Sequence, residues 1–156
     1  LSREPSAEEV LARIPADIAR YKEYVFCGFG EPTLRLETML EVAAALKARG
    51  AVTRLNTNGQ ANIIWKRDVS GELKGKIDKI NVSLNEATAK DYAALCRPAF
   101  GEAAFEGLQD FARRCAAQGI ETWFSVVDII GEEKTAACRE IAKRCGVTLK
   151  VRPYIA

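Results

Sequence analysis

There is no histidine anywhere in the 156 residues, and that absence removes much of ordinary enzyme chemistry. Ser-His and Cys-His nucleophile pairs, helical zinc-protease motifs and imidazole proton relays all require an imidazole. Cysteine is present but unorganised. Cys27, Cys96, Cys115, Cys138 and Cys145 are odd in number, scattered, and contain no C-x-x-C pair. Most read as small core hydrophobes in a reducing compartment, not as a disulfide scaffold. No apolar run approaches the roughly 20 residues of a membrane span, and no basic-then-apolar signal peptide opens the chain. A cytoplasmic location without a membrane partner is expected. Charge of one sign is lacking too. A formal charge of +2 gives no field that would gather nucleic acid, and Lys74, Lys76 and Lys79 read as a solvated face.

What is there is the composition of one soluble globular domain covering residues 1–156, 48% hydrophobic and 28% charged, large enough to bury a core. Ser6 and Glu9 make a capping box before Val10, Leu11 and Ile14, and Pro15 ends or kinks that helix. A short apolar strand over 24–27 follows. An apolar stripe of Leu36, Met39, Leu40, Ala43 and Leu46 predicts a helix over 36–49 closed by Gly50. Further strands are expected over 52–55, 79–84, 122–127 and 148–151. Further helices are expected over 88–95, 102–118 and 132–145. Residues 60–76 read as a loop with a short helix starting near Asp68. Strands alternating with helices predict right-handed βαβ units on a five-stranded parallel sheet, too few residues for the eight strands of a closed barrel. The expected fold class is therefore α/β, a partial barrel or an open sheet.

Ligands of such sheets sit at the carboxyl ends of the strands. That rule gathers Gly28, Phe29, Gly30 and Glu31, then Asn56, Thr57 and Asn58, Ser83 and Asn85, Asp128, and Arg152 onto one rim. Each has a plainer reading. The Gly-Phe-Gly-Glu-Pro run can be a turn entering a helix, with its freed N–H and C=O groups open to either an amine or a carboxylate. Asn58-Gly59 is a common turn pair. Ser83 and Asn85 flank Leu84 and point to one side, which suits a ribose, a carboxylate or merely a satisfied strand end. Arg97 could clamp a carboxylate or sit in a surface ion pair. Their succession on consecutive strand ends is what makes a binding site.

Taken together, these tips resemble those of radical S-adenosylmethionine enzymes. Phe29-Gly30-Glu31-Pro32 is similar to the family's Gly-Gly-Glu-Pro segment, with Phe29 in place of the first Gly. Asn56-Thr57-Asn58-Gly59 resembles its third-strand Thr-Asn-Gly, and Val82-Ser83-Leu84-Asn85 its fourth-strand Ser-Leu-Asp. Cys27 through Arg35, Leu55 through Gly59, Cys96-Arg97-Pro98 and Arg152-Pro153-Tyr154 resemble, more narrowly, the TatD-associated branch. The resemblance implies a six-stranded partial barrel of which this chain supplies strands two to six. It implies S-adenosylmethionine beside a four-iron cluster, an electron donor, and a deoxyadenosyl radical that abstracts hydrogen from a substrate. Gly30, Glu31 and Pro32, within the Gly28–Pro32 tip, would then hold the methionyl amino group. Ser83 and Asn85 would meet the ribose or carboxylate, with Arg97 a further carboxylate partner, and Val127 and Asp128 would approach the adenosine. Trp65, Arg67 and Arg152 are the residues expected on the substrate side.

One departure sets the expectation for activity. The family's cluster is held by a C-x-x-x-C-x-x-C loop after the first strand, and no such motif occurs in this sequence. The chain reads as a fragment beginning just after that loop, inactive alone because the cofactor would receive no electron. Two alternatives stand beside this reading: a cluster-less module that binds a nucleotide or S-adenosylmethionine without chemistry, and a hydrolase or lyase using Glu31 and Asp128 as acid and base. Losing a neighbour would leave the strand from Tyr24 to Cys27 as an exposed apolar edge. Self-association through that edge is expected, and size-exclusion chromatography showing one soluble monomer across a wide concentration range would overturn it.

Overall fold

In the computed structural model, which describes residues 3–28 and 30–155, five parallel strands form one open sheet in the order β1-β2-β3-β4-β5. The strands are β1 (Tyr24–Phe26), β2 (Thr53–Thr57), β3 (Lys79–Ser83), β4 (Glu121–Val127) and β5 (Thr148–Arg152). Spatial order follows chain order, so right-handed crossovers place every connecting helix on one side of the sheet. The result is a partial TIM-like barrel that does not close.

The helices are α1 (Ala7–Leu11), α2 (Leu36–Ala48), α3 (Ala61–Trp65), α4 (Ser70–Leu73), α5 (Ala89–Cys96), α6 (Ala103–Ala117) and α7 (Glu132–Arg144). The capping box forms as the sequence predicts: Ser6 accepts from the Glu9 amide and Glu9 reaches back to the Ser6 amide. Helix α1 nevertheless stops at Leu11, short of Pro15. Strand β2 runs two residues past the expected end at 55, through Asn56 and Thr57, because both still pair with β3 at Asn81 and Val82. Strand β1 ends at Phe26, one residue earlier than expected. The stretch 60–76 is better ordered than expected, holding two short helices instead of one.

Packing explains that order. Leu55, Ile80, Val82, Leu108, Phe111 and Phe124 are wholly buried in the layer between sheet and helices. At about 25 cal/mol per Å² of apolar surface removed from water, such burial is the main favourable term. Helix α3 docks on α6 where Gly107 leaves room for Ile63: a Cβ at Gly107 would stand 2.1 Å from Ile63 Cδ1. At the opposite, amino edge of the sheet, Asp78 accepts two bonds from Lys47 Nζ, at 2.7 and 2.8 Å, and one from the Thr53 amide at 2.8 Å. Burial alone would raise the Asp78 carboxyl, but the Lys47 and Thr53 contacts hold it below its ordinary value.

Gly59 closes β2 at φ +76°, and a Cβ there would meet Val82 Cγ1 at 2.7 Å and Leu108 Cβ at 2.8 Å. Gly50 has φ +82° with nothing within 4 Å. Gly50→Ala is therefore expected to cost about 1 kcal/mol from left-handed strain alone, and Gly59→Ala about 2–4 kcal/mol from strain plus overpacking. Urea denaturation midpoints measure both, and equal losses would contradict this account.

Candidate active site

Beyond β1 the chain turns through Gly28 (φ +122°) and Gly30 (φ +94°), conformations that an L side chain resists. Glu31 then caps a 3₁₀ turn, Pro32–Arg35, with Pro32 at its first position. The Glu31 carboxylate is fully engaged. Oε1 accepts from the Thr33 amide (3.1 Å), the Thr33 hydroxyl (2.8 Å) and the Thr57 hydroxyl (2.6 Å), and Oε2 accepts from the Asn58 amide (2.7 Å). Thr33 and Thr57 are buried. This acid is thus a bracket tying the loop after β1 to the end of β2. The turn's ligand-facing capacity lies in its backbone. Phe29 lies outside the described residues.

A cleft of about 670 Å³ opens at the carboxyl edge between this loop, β3 and α5. That is within the roughly 300–1,000 Å³ of small-molecule sites. Its polar lining includes Glu31, Asn58, Gln60, Ser83, Asn85 and Tyr92, and its apolar wall Leu34, Ile64, Pro98 and Phe100. Asn58 is occupied locally, its Oδ1 accepting from the Gln60 amide at 2.9 Å. Gln60 and Tyr92 are buried and bonded to one another at 3.1 Å, and burial pushes the Tyr92 phenol up. Ser83 and Asn85 share the cleft, as their spacing predicts. The chain leaves the strand there: Asn85 sits at φ +62°, and the Leu84 and Asn85 amides both donate to the Ser125 carbonyl. The Asn85 side chain makes only a weak bond to Cys96 Sγ at 3.3 Å, leaving its oxygen available to a ligand.

Other expected residues are placed elsewhere. Arg97 ends α5 in a left-handed conformation, exposed, between two lining residues, Cys96 and Pro98. Asn56 lies a layer below the cleft, inside β2. Val127 ends β4. Asp128 borders a separate cleft of about 360 Å³ with Arg139 and Val151, and its carboxylate accepts from the Tyr154 amide at 2.9 Å. Trp65 packs against the main core and donates its indole N–H to the Thr33 carbonyl at 2.8 Å. It braces the Glu31 turn instead of lining the cleft. Arg67 stacks over Trp65 at 5.9 Å and pairs with Glu72 on the exposed helix layer. Arg152 sits beside Val127 on the last strand.

Sequence reasoning missed Tyr92 and Phe100, and it held Gln60 and Ile64 only as part of the loop after β2 and Cys96 and Pro98 only within the Cys96-Arg97-Pro98 motif. Only the fold of α5 over the strand ends brings them in; the signal at hand was their proximity to Asn58 and Arg97. Among the described residues, no group of three or more Cys, Asp or Glu could hold a metal ion. Cys115, Cys138 and Cys145 are buried in the helix layer, and burial pushes their thiols up, Cys138 to about 11. They serve as core, not as thiolate ligands. The cysteines therefore do not fit a four-iron cluster, whereas the amphipathic cleft, with the spare Asn85 oxygen, fits a ligand that has an apolar base at one end and polar groups at the other.

Because the Glu31 bracket joins two segments, Glu31→Gln replaces one acceptor oxygen with a donor facing donors. A loss of about 1–3 kcal/mol is expected, the cost of an unsatisfied buried bond. Guanidinium denaturation with an unchanged m-value would register it, and an unaltered midpoint would show the bracket to be idle.

The geometry has counterparts among solved structures. A radical SAM methyltransferase from Sphaerobacter thermophilus superposes with a TM-score of 0.70 at 18% identity, covering 98% of this chain and 48% of that one. A domain of pyruvate-formate lyase-activating enzyme from Bacteroides vulgatus gives 0.59 at 12% identity, covering 83% and 98% respectively. A structure of TYW1 with a lysine-pyruvate adduct bound gives 0.62 at 18%, covering 86% and 42%. The chain thus spans the whole of the Bacteroides domain but only about half of the methyltransferase. At these identities the likeness concerns the fold. No curated protein matches the sequence. The family model described as the Radical SAM superfamily matches residues 1–143; with the partial barrel and its strand-end cleft, the chain belongs to the radical SAM superfamily.

Proposed function

We propose that this chain is the S-adenosylmethionine-binding core of an enzyme that abstracts a hydrogen atom from its substrate. The observation that carries the reading is the cleft at the carboxyl edge, where Ser83 and Asn85 share one space with Glu31, the residue that braces the glycine turn. The backbone of Gly28, Gly30, Glu31 and Pro32 would receive the methionyl ammonium, since the Glu31 carboxylate is committed to the bracket. Ser83 and Asn85 would hold the ribose or carboxylate through hydrogen bonds. Arg97, exposed at the mouth, would pair with the carboxylate. Phe100, Ile64 and Leu34 would shelter the base from water. When bound and reduced, the cofactor supplies one-electron chemistry for hydrogen abstraction.

No step through the iron–sulfur cluster is assigned to these residues, because the five cysteines do not converge. The same dispersal favours, for the chain by itself, binding without turnover. The cluster, the electron donor and the TatD-associated affinity belong to this proposal as properties of the whole enzyme, as does a cytoplasmic setting. No helix among the described residues is long and apolar enough to cross a membrane.

Titration calorimetry with S-adenosylmethionine tests the reading. Binding is expected for the chain, with Asn85→Leu weakening it about tenfold, one hydrogen bond's worth. Absence of binding, or an unchanged affinity in Asn85→Leu, would sink the assignment of this cleft.

A further inference from the structure

Among the described residues, Glu86 is the one charged side chain that is buried, at 8% exposed. It directly follows Asn85, the residue proposed to meet the cofactor, and the backbone there is strained. Asn85 has φ +62°, and the Glu86 amide donates to the Leu84 carbonyl at 2.7 Å. That bond closes a three-residue turn centred on Asn85, and at positive φ such a turn is the rare, strained form. A strained conformation persists only where its surroundings hold it. From the sheet, the Ser125 carbonyl accepts from the Leu84 and Asn85 amides at 3.0 and 3.3 Å. Across the cleft wall, Asn85 Nδ2 donates to Cys96 Sγ at 3.3 Å. The third hold comes from outside the cleft.

Lys134 supplies it. Its ammonium lies 2.8 Å from Glu86 Oε2 and 3.1 Å from Asp91 Oδ2. Glu86 belongs to the Asn85 turn, and Asp91 to the first turn of α5, the helix that brings Tyr92 and Cys96 to the cleft. One cation thus ties the end of β3 to the start of α5. Lys134 itself sits on α7, and among the described residues none of that helix lines the cleft. Local rules do not account for a lysine here. It is the third residue of α7, at the end where the helix dipole disfavours a cation. Its tertiary partners do account for it. A carboxylate as buried as Glu86 needs a counter-charge, and removing one member of such a pair leaves the other uncompensated.

We infer that Lys134 is a positioning residue for the cofactor cleft, acting through Glu86 on Asn85. It touches no ligand. It holds the strained turn so that the Asn85 oxygen, with the amide nitrogen taken by Cys96, is presented as a fixed hydrogen-bond acceptor. Without the ion pair the turn is free to relax, and that oxygen leaves the cleft. The inference rests on the proposed function only for the identity of the molecule that Asn85 meets.

A double-mutant cycle read by titration calorimetry tests it, with S-adenosylmethionine as the probe. Lys134→Met is expected to weaken binding about tenfold in the otherwise unaltered chain. In the Asn85→Leu background the same change should cost less than about twofold, because no acceptor is left to position. Lys134→Arg should keep the affinity within about twofold, since a guanidinium pairs with both carboxylates. Combining Lys134→Met with Glu86→Gln leaves no unpaired charge inside the fold, so it should be stable and still show the tenfold loss. In the ligand-free chain, the nitrogen–proton NMR signals of the Asn85 side-chain amide should move in Lys134→Met and stay in place in Lys134→Arg. Unmoved Asn85 signals in Lys134→Met would overturn the inference. Equal losses of affinity in the two backgrounds would do the same, making Lys134 a structural tie and no more. If the unaltered chain binds no S-adenosylmethionine while the Asn85 signals move as described, the cofactor assignment fails and the positioning of Asn85 stands.

Discussion

Everything at the carboxyl edge depends on one carboxylate. Glu31 collects four donors from two segments, its own turn and the end of β2, and thereby holds a glycine-rich loop that would otherwise have little to fix it. Gly28 and Gly30 lend the turn its positive φ angles but no rigidity, because glycine carries the largest conformational entropy of any residue. Trp65 adds a second tie through the Thr33 carbonyl. The consequence is chemical as well as mechanical. A carboxylate already holding four donors is committed to its loop, so Glu31 organises the backbone that meets a ligand and is not free to serve as one half of an acid–base pair. Asp128, in a different cleft, is not placed to complete such a pair.

The sheet has two faces with opposite obligations. Because strand order follows chain order, the helices all collect on one side, and that side must be apolar to bury them. Leu55, Ile80, Val82 and Phe124 meet the requirement. The other face is freed from it. Within β2 the alternation Thr53-Arg54-Leu55-Asn56-Thr57 shows both at once, with Leu55 wholly buried under the helices and Asn56 on the far side with its oxygen unpaired. Sheet closure in a full barrel fills that inner face with side chains; here it is polar, with Glu23 ion pairs at its base and Lys150 laid over Trp123 at its rim.

The helix side also shows how closely the site is coupled to packing. Gly59 is pressed against Val82 and Leu108, and Gly107 admits Ile63, so β2, α3 and α6 lock together directly behind the cleft. Tyr92 and Phe105, with ring centroids 5.6 Å apart, continue that contact to α5. The cleft wall is therefore the front of the core and not a separate loop, which gives its polar groups fixed positions.

Much of this was legible in the chain itself. Helical stripes such as Leu36, Met39, Ala43 and Leu46, glycines closing α2, α6 and α7, and short β-favouring runs determine five strands, their alternation with helices and their parallel arrangement, because each is a local rule. The strand-end rule likewise determines that Gly30, Glu31, Asn58, Ser83 and Asn85 gather at one edge, and the cleft contains four of these. What a local rule cannot carry is direction and partnership. Only the tertiary structure decided that Glu31 is spent on Thr33, Thr57 and Asn58, and that Asp128 is separate from the cleft. It also decided that Trp65 is a brace, and that β2 extends to Thr57 because β3 is there to pair with it. The polar inner face was invisible for the same reason. Asn56, Asn81, Ser125 and Lys150 lie far apart in sequence, and only strand register sets them side by side.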